Sequence, residues 1–203
     1  MGSYRVHVQL SDAAFGAALS AYLDAEPGIA VTLGEADVVV VGFDRPESGK
    51  AVMVHARESN VLVIGEDDAE RMLVALEAGA LGYIALGASL EQVADGVRAV
   101  AEGNGVVPPV MLGALLRHVV HRRRAARADL DRLDSLTHRE RQVLELLAGG
   151  HDRAEIAQRL FIATGTVRTH LMRIFRKLDV HSQNEAMAFA TRCGLGNEPQ
   201  EAS

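Results

Sequence analysis

Cysteine occurs once in these 203 residues, at Cys193, so neither an intramolecular disulfide nor a cysteine-cluster metal site can form. No apolar run is long enough to span a bilayer, and no tract is of low complexity, which leaves a globular composition. The amino terminus carries neither the basic nor the apolar region of a signal peptide. These absences lead us to expect a cytoplasmic chain with no membrane partner. Paired carboxylates, a nucleophile–base set and a phosphate-binding loop are all missing, so an enzyme is not expected. His118 and His121 lie three apart in a helical pattern, but no third ligand is in view, and no metal or other cofactor is expected.

The formal net charge is −6, which by itself argues against a nucleic-acid partner. It conceals a split. Residues 1–120 hold 7 basic and 16 acidic side chains, whereas residues 135–195 hold 9 and 6. An acidic front and a basic back suggest that only the back half meets DNA. Within that back half, residues 153–172 read as two helices and a tight turn. Ile156, Ala157 and Leu160 form one apolar stripe, and Val167, Leu171, Ile174, Phe175 and Leu178 form a second. The second helix leaves Arg168, Thr169, Met172, Arg173, Arg176 and Lys177 on its other faces. One helix to brace and one cationic helix to enter the major groove is what a helix-turn-helix needs.

In the front half, residues 4–10 alternate as a strand and residues 12–25 follow as a helix. Residues 29–33, 37–42 (DVVVVG), 61–65 (VLVIG) and 81–86 are further strand candidates, with helical patterns at 68–78 and 89–102. The runs apolar throughout suit parallel strands covered on both faces. Strands alternating with helices predict a doubly wound α/β domain.

The stretch EAGALGYIAL at 77–86 resembles the passage from fourth helix to fifth strand in bacterial receiver domains. With the back half, the chain resembles the NarL/FixJ family of response regulators over nearly its full length. That resemblance implies a CheY-like receiver. In such receivers an aspartate ending the third strand is phosphorylated, an acidic pair after the first strand holds Mg²⁺, and a Ser/Thr and a Lys complete the site. Carried over residue by residue, the phosphoacceptor position is Gly42, the acidic pair falls on Leu10 and Ser11, the hydroxyl position is Gly65 and the lysine position is Leu86. An aspartyl phosphate needs a carboxylate nucleophile, a hard cation and neutralising donors. The expectation is a degenerate receiver that works without phosphorylation. A shifted register using Asp44 with Asp12 supplies neither the lysine nor the hydroxyl.

A length defect accompanies the chemical one. Only residues 34–36 separate the second and third strands, where a receiver carries a whole helix. In receivers those strands flank the first strand, which would put them roughly 9.6 Å apart; three residues reach about 11 Å, and parallel crossovers usually take about a dozen residues. The second helix is therefore deleted, and the second strand must be shortened, frayed or differently paired. Residues 48–58 are also short for a third helix. Retention of the receiver suggests association with a partner chain, or a small-molecule ligand in the vacated pocket.

The expected organisation is a receiver over 1–107, a helical linker over 108–134, an all-α four-helix output domain over 135–196 and a tail over 197–203. The linker carries HRRRAAR at 121–127, either an arm that touches phosphates or a solvated connector. Thr137 with Glu140 forms a capping box, Asp152 with Glu155 another, and Ser182 with Glu185 a third. LTHRERQVL at 136–144, EIA at 155–157, TVRTH at 166–170 and KLDV at 177–180 resemble the LuxR-type domain that ends NarL/FixJ regulators. That resemblance implies double-stranded DNA as partner and places Arg168, Thr169 and Met172 at base-facing positions. Arg153, Arg173, Arg176 and Lys177 would face phosphates, with Thr164, Thr166 and His170 also in the DNA-binding set. The usual Ser opening the second helix is Asp152 here, whose charge repels phosphate, and a nearby Lys is Ala154. Residues 182–193 are either a dimer interface or simply close the core. The chain is expected to act as a homodimer, or as a heterodimer with a related regulator. An autoinducer-binding regulator is disfavoured, because the chain has no tryptophan for an acyl-chain pocket.

Overall fold

The computed structural model describes residues 3–45 and 47–195; the expected tail at 197–203, and residue 196 before it, lie outside these. The elements run β1 (Tyr4–Gln9), α1 (Ala13–Ala25), β2 (Ile29–Val31), β3 (Val38–Phe43), α2 (Ser48–His55), β4 (Asn60–Gly65), α3 (Ala69–Glu77), β5 (Gly82–Ala85) and α4 (Leu90–Ala101). A short 3₁₀ turn, Pro109–Met111, then leads into α5 (Leu112–Asp134), followed by α6 (His138–Ala148), α7 (Arg153–Arg159), α8 (Thr164–Leu178) and α9 (Gln183–Arg192). Two compact units divide the chain, one up to Val119 and one from Val120.

In the first unit five parallel strands lie in the order β2-β1-β3-β4-β5. β3, apolar throughout, and β4, apolar after Asn60, are covered on both faces. On one face Leu19, Leu23, Val93 and Val97 from α1 and α4 pack against Val6, Val38, Val40 and Leu62. On the other, Val52 and Met72 from α2 and α3 join Val39, Val41, Val61, Val63 and Tyr83.

The missing helix is accommodated by register. β2 is shortened to three residues and ends with Val31 opposite Val6, while β3 begins with Val38 opposite the same Val6. The chain crosses β1 without running back down it, so residues 32–37 suffice. Thr32 N–H donates to the Val6 carbonyl and Asp37 N–H to the Arg5 carbonyl, each at 2.8 Å. The deletion also explains why β1, a central strand, alternates in polarity. Val6 is buried, whereas Arg5 and Gln9 on the opposite face are exposed. Arg5 is held by Asp37 at 2.8 Å and by Glu35 at 3.5 Å, and His55 Nε2 meets Gln9 Oε1 at 2.8 Å. The Arg5 guanidinium holds the Asp37 carboxyl below its usual range.

In the second unit α6 to α9 enclose one core containing Val143, Leu144, Leu147, Ile156, Val167, Leu171, Ile174 and Phe189. The ends of the expected linker belong to these cores: Met111 and Leu115 join that of the first unit, and Leu133 that of the second.

Candidate nucleic-acid interface

Two capping boxes in the second unit form as read. Thr137 accepts from Glu140 N–H at 3.3 Å while Glu140 accepts from Thr137 N–H at 2.8 Å. Asp152 and Glu155 do the same at 2.8 Å each. At α9 Ser182 accepts from Glu185 N–H, but Glu185 reaches one residue further back and accepts from His181 N–H at 2.9 Å. Helix α8 differs. Its N-cap is Ala163, which offers no side-chain cap; Thr166 N–H donates to the Ala163 carbonyl at 2.8 Å, which leaves the Thr164 and Gly165 amides of the first turn for an anion.

α7 buries Ile156 and Ala157, and α8 buries Val167, Leu171, Ile174 and Leu178. At 100° per residue, Thr169, Met172, Arg173 and Arg176 lie opposite that stripe, Arg168 on one flank, and Thr166, His170 and Lys177 on the other. Met172 is 57% exposed. Arg153, Arg168, Arg173 and Arg176 are exposed, and no hydrogen bond or ion pair holds them among the described residues. Thr164 and Thr166 are exposed in the first turn of α8, and the Thr169 hydroxyl donates back to the Gly165 carbonyl at 3.1 Å. His170 is partly buried, and its Nδ1 has no hydrogen-bond partner.

Lys177 requires a correction. Expected among the phosphate-facing cations, its amine is turned inward: Nζ donates to the Ser135 carbonyl at 2.8 Å and to Glu140 Oε2 at 2.7 Å. Glu140 is 2% exposed. Burial pushes its carboxyl up, but Lys177 and the Thr137 amide and hydroxyl more than offset that and hold it at about 2. An ammonium tied to a buried carboxylate is not free for a phosphate.

The sequence reading also missed Arg139, whose guanidinium bonds the Leu160 carbonyl at the end of α7 and Gln142 at 2.9 Å. It braces the turn. Within that turn Phe161 adopts a left-handed conformation (φ 52°) and is 94% exposed. Partners 21 residues apart leave no local signal, and this explains the omission.

In the first unit the carboxyl ends of the strands bring Leu10, Ser11 and Gly42 together around a cavity of about 250 Å³, also lined by Gln9, Val41 and Arg45. Crevices at strand carboxyl ends are where such folds bind ligands. A Cβ on Gly42 would meet Leu10 Cδ2 at 3.3 Å. Gly65 and Leu86 are not in this cavity, and the Leu86 side chain is exposed. A Cβ on Gly65 would lie 2.2 Å from the Tyr83 hydroxyl, which donates to the Glu66 carbonyl at 2.7 Å. Asp12 caps α1 through Ala14 and Phe15 N–H, Asp44 accepts from Ser11 at 3.0 Å, and Glu47 also lines the cavity. Among the described residues no three His, Cys, Asp or Glu side chains converge as a metal site. This donor set does not fit the Mg²⁺ of a receiver.

The family described as "Bacterial regulatory proteins, luxR family" matches residues 134–190. The chain is 30% identical over 200 residues to "Transcriptional regulatory protein LiaR" of Bacillus subtilis (strain 168), covering 88% of this chain and 92% of that one. It is 32% identical over 157 residues to "Probable transcriptional regulatory protein NarL" of Mycobacterium tuberculosis (strain ATCC 25618 / H37Rv), covering 77% and 70% respectively. A solved two-component response regulator of the LuxR family from Aurantimonas sp. SI85-9A1 shares the fold. It is 16% identical with a TM-score of 0.51, and the match covers 59% of this chain and 99% of that one. A parallel α/β unit joined to a helix-turn-helix unit defines a DNA-binding response regulator. The chain belongs to the LuxR/NarL family of such regulators.

Proposed function

We propose that this protein regulates transcription by binding DNA as a dimer through α8, and that it does so without aspartyl phosphorylation. The DNA reading is carried by the unpaired exposed face of α8, where Arg168, Arg173 and Arg176 surround Met172 opposite the buried stripe. Arg168 and Met172 read base edges, with Arg168 suited to a bidentate pair on guanine. Arg153, Arg173 and Arg176 take phosphates, which position the helix without specifying sequence. Thr164 and Thr166 add contacts beside the open first-turn amides. The receiver occupies 1–107, the linker 108–134 and the output domain 135–196.

Phosphorylation independence is supported by glycine at the phosphoacceptor position, leucine at the lysine position and the engagement of Asp12 and Asp44 in other hydrogen bonds. The cavity beside Gly42 favours a second reading, in which a small molecule sets the activity. Pairing with a related regulator in a heterodimer is the remaining form of the dimer.

Binding to a genomic duplex library, selected and sequenced with wild type, tests the DNA reading. Arg168→Ala should cost about 1–3 kcal/mol on selected sites and relax the preference at one base position. Arg173→Ala should weaken all sequences alike and reduce the salt slope by about 0.9. Equal binding by wild type and both variants sinks the assignment. Incubation with acetyl phosphate and Mg²⁺, followed by intact mass, should leave the wild type unmodified; a stoichiometric phosphate adduct would overturn phosphorylation independence.

A further inference from the structure

The outer edge of the sheet in the first unit is left half paired. Along β5 the backbone groups of even-numbered residues face β4, as Leu86 N–H does in donating to the Gly65 carbonyl at 2.7 Å. Those of odd-numbered residues face outward. Tyr83 N–H donates to the Val106 carbonyl at 2.7 Å and Val106 N–H to the Leu81 carbonyl at 3.4 Å, so Val106 lies parallel to Gly82 as a single rung. The next rung would set residue 108 opposite Ile84, giving its N–H to the Tyr83 carbonyl and taking the Ala85 N–H on its own carbonyl. Residue 108 is proline and has no N–H to give. That rung is missing, and among the described residues neither the Tyr83 carbonyl nor the Ala85 N–H has a partner.

A cavity of about 580 Å³ opens at this gap, lined by Tyr83, Ile84 and Ala85, by Pro108, and by Gly96 and Ala99 of α4. The missing rung defines the chemistry that fills it: one N–H and one C=O belonging to the same residue of an extended peptide unit. The ladder cannot run on in either direction. Val106 holds one end, and at the other the Ala85 carbonyl accepts from Ala88 N–H at 2.9 Å. A site one residue long and closed at both ends suits a small molecule, not a strand of another chain. Side chains paired across parallel strands share a face, and Ile84 belongs to the core beneath α4. The side chain of an occupant therefore points towards Gly96 and Ala99, whose small size leaves room. Asp95 is the only charged side chain among the described residues lining the cavity, and Arg98 meets it at 3.1 Å. With no cation in the lining, a carboxylate is disfavoured and a neutral ligand fits.

We propose that this cavity binds a small, neutral, peptide-like molecule: an amino-acid residue with an aliphatic side chain and both ends blocked as amides, extended opposite Ile84. Its N–H donates to the Tyr83 carbonyl and its C=O accepts from Ala85 N–H. The site shares no lining residue with the cavity beside Gly42 and does not depend on that cavity being occupied. One rung and one side chain give a minimal ligand an affinity in roughly the millimolar range.

The test uses the full chain, with N-acetyl-leucine N-methylamide as the probe and backbone amide magnetic resonance as the readout. Titration to about ten millimolar should shift the Ala85, Val106 and Val107 amides and slow hydrogen exchange at Ala85 severalfold, while the Ser11 and Gly42 amides stay in place. The ester analogue, in which oxygen replaces the leucine N–H, keeps the shape and the acceptor but loses the donor. It should bind about fivefold more weakly. Ala99→Leu fills the cavity from α4 and should remove the shifts, with a melting temperature close to wild type. Equal affinity for the amide and the ester overturns the proposal, whatever the variant does. So do Ala85 shifts that persist in folded A99L, the absence of any shift in wild type, and shifts confined to Ser11 and Gly42, which would put the probe in the other cavity.

Discussion

Two glycines, Gly42 and Gly65, stand where the resemblance to receivers places reactive side chains, and their surroundings differ. At Gly42 the atom nearest a Cβ is the flexible end of Leu10, at 3.3 Å, with the Leu10 and Ser11 backbone in ordinary contact beyond it. At Gly65 it would strike the Tyr83 ring, with Cζ at 2.8 Å, and that ring is fully buried. Burial lifts the Tyr83 phenol to about 12, so it stays a neutral donor to the Glu66 carbonyl. The hydroxyl that a receiver carries at position 65 has no room while Tyr83 is in place. Gly65→Ala should cost about 1–3 kcal/mol by overpacking, measured by urea denaturation. In a Tyr83→Leu background the same change should cost much less; additive costs would show that the ring is not the obstacle. The Glu140–Lys177 pair gives the second prediction at this scale. The folded carboxyl titrates near 2 and an unfolded glutamate near 4.5. Ionised Glu140 therefore stabilises the fold above about pH 4.5, and that contribution disappears as pH falls towards 2. Glu140→Gln should lower stability at neutral pH by roughly 2–3 kcal/mol, since it leaves Lys177 without its anion, and should flatten the acid limb. Hydrogen exchange in α6 and α8 between pH 2 and 5 is the measurement, and an unchanged acid limb in the variant counts against it. Sequence gave no access to either contact: Tyr83 and Gly65 lie 18 positions apart and Lys177 and Glu140 37 apart. Periodicity places Lys177 on a flank of α8 but not which way its amine turns.

Elements were more legible, because their signals are local. Thr137, Asp152 and Ser182 each precede a helix and each accepts from its amides. Only the three-residue reach of Glu185 was misplaced by one position. The deletion before β3 was countable, but its solution was not. Splitting β1 between β2 and β3 at Val6 depends on register, which no short pattern specifies. The alternation in β1, by contrast, already recorded the uncovered face. α7 is seven residues long and so leans on its cap: Asp152 Oδ1 accepts from Ala154 N–H at 2.7 Å and Glu155 N–H at 2.8 Å. Its carboxylate nevertheless lies on a helix proposed to approach phosphates. Asp152→Ser retains an oxygen acceptor and removes the charge. Thermal stability should change by no more than about 0.5 kcal/mol, while DNA affinity at low salt should rise severalfold. Asp152→Ala should instead destabilise by about 1 kcal/mol. Fluorescence anisotropy on a labelled duplex, paired with thermal melts, reads both. No gain in affinity for the serine variant would mean that α7 stays clear of the backbone.

At the scale of the molecule, we propose a receiver-like fold whose pocket lacks several of the groups that phosphoryl transfer needs. If only the phosphoacceptor were missing, restoring it would restore the reaction. Gly42→Asp makes that distinction, since Leu10 can shift a few tenths of an ångström to admit the new side chain. The restored carboxylate would still lack what the transfer requires. Position 86 is an exposed leucine with no cation to offer, position 65 has no hydroxyl, and Asp12 and Asp44 are held by α1 and Ser11. Carboxylates without Mg²⁺ and a lysine cannot neutralise the charge that develops on the transferring phosphoryl group. Folded G42D incubated with acetyl phosphate and Mg²⁺ should therefore remain unmodified by intact mass, with a melting temperature close to wild type. Stoichiometric labelling of G42D would show that the surrounding residues can still rearrange into a working site, and that the defect lies in one residue rather than in the whole pocket.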